Sequence, residues 1–143
     1  MNTKVEQTVD NFKNGFNCTQ AVLDTYCEQL GLDNETAFKI ATGFGNGMRI
    51  GGVCGAVTAA FMILGLKHGN TDATDKESKK KTHAIIKDFT KKFETRNGSI
   101  NCKELVGDKS GCVQLVRDAA EILEQIKPRR TVICDEKRKT FDR

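Results

Sequence analysis

The sequence predicts an all-α protein, a single-domain bundle of about six to seven helices with a glycine-rich loop before the central helix. Apolar residues recur at spacings of three and four in seven segments, and no segment alternates polar with apolar long enough to propose a strand. Candidate caps and stop glycines fall between those segments. At 143 residues the chain has the size of one domain, long enough for a core that needs no disulfide.

Taken in order, Val5, Val9 and Phe12 mark a short amphipathic helix ending near Asn14-Gly15. Asn17-Cys18-Thr19-Gln20 has the form of a capping box, which makes Cys18 the first residue of a second helix. Ala21, Val22, Tyr26 and Leu30 are its buried stripe, Cys27 is a small half-buried thiol in its last turns, and Gly31 stops it. Asp33 or Asn34 caps a third helix through Ala37, Ile40 and Ala41, which runs into the loop 43–52 with five glycines in ten residues. Such a loop is expected where the backbone takes φ > 0 or approaches another group closely. A fourth helix follows from Val53, with Val57, Phe61 and Leu64 on its apolar face and Gly69 as its stop. Thr74 to Glu77 reads as a capping box for a long helix with Ile86, Phe89 and Phe93 inward and Asn97-Gly98 at its end. Asn101-Cys102-Lys103-Glu104 repeats the Asn17 pattern. Ser110-Gly111-Cys112 opens the last helix, with Val116, Ala119, Ala120, Leu123 and Ile126 on one face, and Pro128 ends it.

The net charge of +4 resides at the C-terminus, where residues 127–143 hold seven Lys or Arg against three Asp or Glu, leaving 16 of each sign elsewhere. The chain is therefore expected to divide into a helical cysteine-containing domain, 1–127, and a basic tail, 128–143. A neutral body with one short basic extension argues against nucleic-acid binding. The polar first ten residues hold no signal peptide, and no apolar run approaches the roughly 18 residues of a membrane span. A cytoplasmic location is expected. The loop lacks the Lys-Ser/Thr ending of a nucleotide-binding P-loop, and no strand precedes it.

Six cysteines in a reducing compartment point to reactive, metal-binding or buried thiols before structural disulfides. Cys18, Cys54, Cys102 and Cys112 all fall in the first turn of an expected helix, whereas Cys27 and Cys134 do not. Free N–H groups and the positive dipole end of a helix stabilise a thiolate, lowering a cysteine pKa from about 8.5 toward roughly 3.5 to 7.5. The thiolate is the form that attacks, exchanges disulfides and ligates metals. No C-x-x-C occurs, so any shared site is assembled from distant helices. His68 and His83 read as surface residues.

These residues resemble the family of redox-active proteins named for a C_GCAxxG_C_C pattern, with a Cys-Gly-Ala-x-x-Gly element and separate further cysteines. The pattern reads here as Cys18, then Gly-Gly-Val-Cys54-Gly55-Ala56-Val57-Thr58-Ala59-Ala60, then Cys102 and Cys112, amid surroundings such as Phe44-Gly45-Asn46-Gly47-Met48. It covers most of the chain. Ala59 stands where the element has its final glycine. The resemblance implies a mostly helical fold and a redox role for the cysteines, in prokaryotic proteins often placed near transporter loci. It supplies no substrate.

The leading expectation is a redox-active protein, in enzyme terms a thiol-dependent oxidoreductase, with Cys54 attacking and Cys18, Cys102 or Cys112 resolving, and a redox protein or thiol as its partner. One alternative is a metal or iron–sulfur module with Cys18, Cys54, Cys102 and Cys112 as ligands. Another is a non-catalytic interaction protein acting through the tail. A homodimer contact through the last helix is one arrangement open to the chain.

Overall fold

The computed structural model describes residues 3–105 and 109–126. Its helices are α1 (Thr3–Lys13), α2 (Cys18–Tyr26), α3 (Asn34–Ala41), α4 (Gly55–His68), α5 (Lys76–Asn97), α6 (Cys102–Leu105) and α7 (Lys109–Gln125). Single 3-10 turns follow α2 at Glu28–Leu30 and α3 at Thr42–Phe44. No strand occurs among the described residues; Val53 and Asn101 form an isolated antiparallel bridge. The protein is an all-α bundle, as its periodicity requires.

Helix α4 is the centre. It packs on α2, α5 and α7, while α1 lies against α2 and α7. Ala56, Val57, Ala59, Ala60, Ile63 and Leu64 are all buried, an apolar surface wider than one stripe, as a helix enclosed by three others needs. Phe89 and Phe93 of α5 are fully buried, and Phe61 meets the Phe89 ring edge-on at 6.3 Å. Each such ring contributes about 1.5–3 kcal/mol by leaving water. Polar bonds set the outer helices in register. The Thr8 and Thr25 hydroxyls meet at 2.7 Å between α1 and α2, the Tyr26 hydroxyl donates to Glu124 at 2.7 Å, and Arg96 bridges Asp118 at 3.1 Å and Glu121 at 2.7 Å.

Several local expectations shift. The cap of α5 is Asp75, which accepts from the Ser78 N–H, because Asp72 already takes the Thr74 N–H and hydroxyl in the preceding turn. Ile40 is 48% exposed, since α3 is short and buries only Ala37 and Ala41. Val53 is in the bridge to Asn101, so α4 starts two residues later than its apolar pattern. Ser99 comes between the partners of the box expected at Asn101: its oxygen accepts from the Asn101 N–H and its hydroxyl donates to Glu104. The basic tail 128–143, with Cys134 and the stop at Pro128, lies outside the described residues.

Candidate functional site

The capping box at Asn17 forms as the sequence predicts. The Asn17 side chain accepts from the Gln20 N–H at 2.8 Å, and the Gln20 side chain accepts from the Asn17 N–H at 3.0 Å. The same two side chains hold the end of α3: Asn17 Nδ2 donates to the Thr42 carbonyl at 3.3 Å and Gln20 Nε2 to the Phe38 carbonyl at 3.2 Å. Cys18, the first residue of α2, is thereby fixed against the loop that leaves α3.

That loop is left-handed over four consecutive residues, Asn46, Gly47, Met48 and Arg49, with φ of 55°, 61°, 60° and 70°. A non-glycine residue costs about 1–2 kcal/mol in this conformation, so the turn persists only because its surroundings hold it. The Gly52 N–H closes it onto the Gly47 carbonyl at 2.8 Å. A Cβ on Gly47 would lie 2.6 Å from the Gly52 backbone and 2.8 Å from Cys102 Cβ, so the turn touches Cys102 only because residue 47 is glycine. The chain then runs antiparallel to residues 100–102. Cys102 N–H donates to Gly52 O and Cys54 N–H to Ile100 O, both at 2.6 Å, which sets Cys54 and Cys102 on adjoining segments.

Cys54 is the N-cap of α4, and the next residue makes the closest helix contact of the site. A Cβ on Gly55 would overlap Thr19 Oγ1 and lie 2.5 Å from Cys18 Sγ. With no side chain there, the starts of α2 and α4 meet, and the Cys54 thiol donates a hydrogen bond to the Cys18 sulfur. Thr19 is fully buried, and its hydroxyl has no hydrogen-bond partner.

The pair divides one proton unequally. The bond from Cys54 pulls the Cys18 thiol down to about 6, against the opposing effect of burial, and the backbone N–H groups of Asn46, Thr19 and Cys18 add to the lowering. The same bond pushes Cys54 far upward, reinforced by burial and by the Cys18 charge. Cys54 is only 3% exposed, whereas Cys18 is half-buried, so the charge resides on the sulfur nearer solvent. Burial, then the charge of Cys18, raises Cys102. Placement at a helix start therefore lowers Cys18 but not Cys54 or Cys102. Cys54 owes its raised value to its partner and its burial, and the single turn of α6 is outweighed by desolvation.

Of the four cysteines singled out by sequence, the structure brings Cys18, Cys54 and Cys102 together. Cys112 is the fourth residue of α7, half-buried, on a helix packed against α2 and α4. None of the four forms a disulfide, nor does the fully buried Cys27. Among the described residues no three His, Cys, Asp or Glu side chains are grouped so as to hold a metal ion. His83 is exposed on α5. Ala59 is fully buried in the core against the surrounding helices. The spacing of Thr19 to Val22, Leu23 and Tyr26 places its hydroxyl on the buried face of α2, the one signal of this residue that the sequence carries. The left-handed turn at Asn46, Met48 and Arg49 left no trace beyond the neighbouring glycines.

No described helix is long and apolar enough to cross a membrane. Neither a search of curated proteins nor a search of solved structures found a match. Residues 16–126, which span the left-handed turn and all of Cys18, Cys54, Cys102 and Cys112, match the model of the family described as "Putative redox-active protein (C_GCAxxG_C_C)". The chain belongs to that family of redox-active proteins, and its paired thiols lie within the matched region.

Proposed function

We propose that the protein is a thiol–disulfide redox protein whose working pair is Cys18 and Cys54. The observation that carries this reading is the close approach of the starts of α2 and α4 at Gly55, which sets the Cys18 sulfur against the residue that follows Cys54; the opposite shifts of the two thiols support it. Cys18, ionised and nearer solvent, attacks an oxidised partner; Cys54, buried beside it, resolves the adduct by forming the Cys18–Cys54 disulfide and releasing the partner's reduced group. Cys18 thus takes the attacking role that position in the sequence alone gave to Cys54. Cys102, neutral at the edge of the pair, is the nearest candidate to relay electrons onward. The partner is a redox protein or a thiol compound.

Equilibration of the reduced protein in glutathione redox buffers tests this. Two thiols should disappear in one two-electron step, which survives Cys27→Ser and Cys112→Ser and is abolished by Cys18→Ser or Cys54→Ser. A step that persists in Cys54→Ser would contradict the assignment.

A further inference from the structure

The Thr19 hydroxyl is the one buried side-chain polar atom among the described residues without a hydrogen-bond partner. A buried hydroxyl with no partner is costly and calls for an explanation from what the site binds. It is not remote from the chemistry. Thr19 Oγ1 and Cys18 Sγ both press on the one point that a Gly55 Cβ would occupy, so hydroxyl and sulfur are neighbours. Thr19 follows Cys18 on α2, while the Asn46 N–H of the strained turn also faces the Cys18 sulfur. A donor that no protein group accepts thus stands beside the reactive sulfur.

We infer that Cys18 reacts with a small hydroperoxide, and that the Thr19 hydroxyl donates its hydrogen bond to the oxygen transferred to the Cys18 sulfur. Resting on the Cys18–Cys54 pair proposed above, this adds the class of oxidant and a positioning residue. The Cys18 thiolate attacks the terminal peroxide oxygen. An S–O bond forms as the O–O bond breaks, the sulfur loses two electrons, and the departing alkoxide or hydroxide takes a proton from water. The Cys54 sulfur then attacks Cys18, and the sulfenic hydroxyl leaves as water with the proton that Cys54 gives up. Two external thiols, or one dithiol, supply the two electrons and two protons that restore the pair, and leave as their own disulfide. Size and donor type favour this substrate. Cys54 is almost wholly buried and Cys18 half-buried, which suits a small oxidant, and a hydroxyl is a stronger donor to an anionic oxygen than to sulfur. The hydroxyl is satisfied only after oxygen transfer, so it favours the oxidised product and the approach to it over the resting thiolate.

Stopped-flow oxidation of the reduced protein by hydrogen peroxide tests the inference, with Thr19→Val, which keeps the shape and deletes the donor, and Thr19→Ser, which restores it. Thr19→Val should slow sulfenate formation at Cys18 by about tenfold or more, and Thr19→Ser should recover the rate. The Cys18 pKa, followed by thiolate absorbance, should be the same in all three proteins, which a merely structural role for Thr19 would not give. Oxidation of Thr19→Val at the wild-type rate, or an equal loss in Thr19→Ser, would overturn the inference. A protein that forms the Cys18–Cys54 disulfide with oxidised glutathione but does not react with peroxide would refute the oxidant while leaving the pair intact. A protein that forms no such disulfide with either reagent would refute both.

Discussion

The Cys54 thiol donates its hydrogen bond to the Cys18 sulfur, so the more deeply buried cysteine keeps the proton and the more exposed one carries the charge. Burial alone would keep both neutral. The shared proton, with three backbone N–H groups around Cys18, lets one ionise at the expense of the other.

Alkylation of Cys18 by iodoacetamide should follow a titration near pH 6, well below that of an ordinary cysteine. Cys54→Ala removes the donor and should move that titration upward, toward the ordinary thiol range. An unchanged midpoint in Cys54→Ala would show that the backbone N–H groups alone account for the lowering.

Stability should depend on pH through the same pair. Between about 6 and the ordinary thiol value of 9.0, the folded pair has lost a proton that the unfolded chain retains, so stability rises with pH. Above 9.0 the unfolded chain releases the second proton while folded Cys54 keeps its own, and stability falls. Urea unfolding across this range should show a maximum near pH 9 that is flattened in the Cys18→Ala, Cys54→Ala double variant. The double variant matters because Cys27 and Cys102, both held above the ordinary thiol value by desolvation, add a fall of the same sign at high pH.

Gly55→Ala should destabilise the fold by about 1–3 kcal/mol, because its methyl overlaps Thr19 Oγ1, crowds Cys18 Sγ and sits 3.3 Å from the Phe44 carbonyl. It should also slow closure of the Cys18–Cys54 disulfide by separating two helix starts. Gly47→Ala should cost more, since the clash is with the Gly52 backbone and the residue sits at φ +61°. Urea midpoints of the two variants test the order, and a Gly47→Ala protein as stable as wild type would contradict the role given to the turn.

Thr19→Val should raise stability by about 1 kcal/mol or more, because it removes a buried hydroxyl that no group in the protein satisfies. A higher urea midpoint is expected. A lower one would mean that the hydroxyl is satisfied in the resting protein.

The helices, their order and most of the core were legible in the sequence because each buried face obeys the helical period. The Asn17 box was legible because its two partners lie three residues apart. The cap of α5 was misplaced by one residue, since Asp72, outside the box pattern, captures Thr74. The placement of Cys18, Cys54 and Cys102 at or beside helix starts was legible, but not how their sulfurs are arranged. That arrangement depends on which segments meet and how deeply each sulfur is buried, both set by Gly55 and by the Val53–Asn101 bridge, contacts between segments distant in sequence. Thr19 went unassigned because a threonine inside a capping box has an ordinary local reading, and only burial shows that its hydroxyl lacks a partner.

The most direct test is disulfide mapping of protein oxidised by one equivalent of oxidant, alkylated and digested without reduction. Chymotryptic cleavage after Tyr26 separates Cys18 from Cys27, so the linkage is unambiguous by mass spectrometry. The account predicts a Cys18–Cys54 link, with Cys27 and Cys112 alkylated. A link from Cys18 to Cys102 or Cys112, with Cys54 recovered as the alkylated thiol, would contradict it.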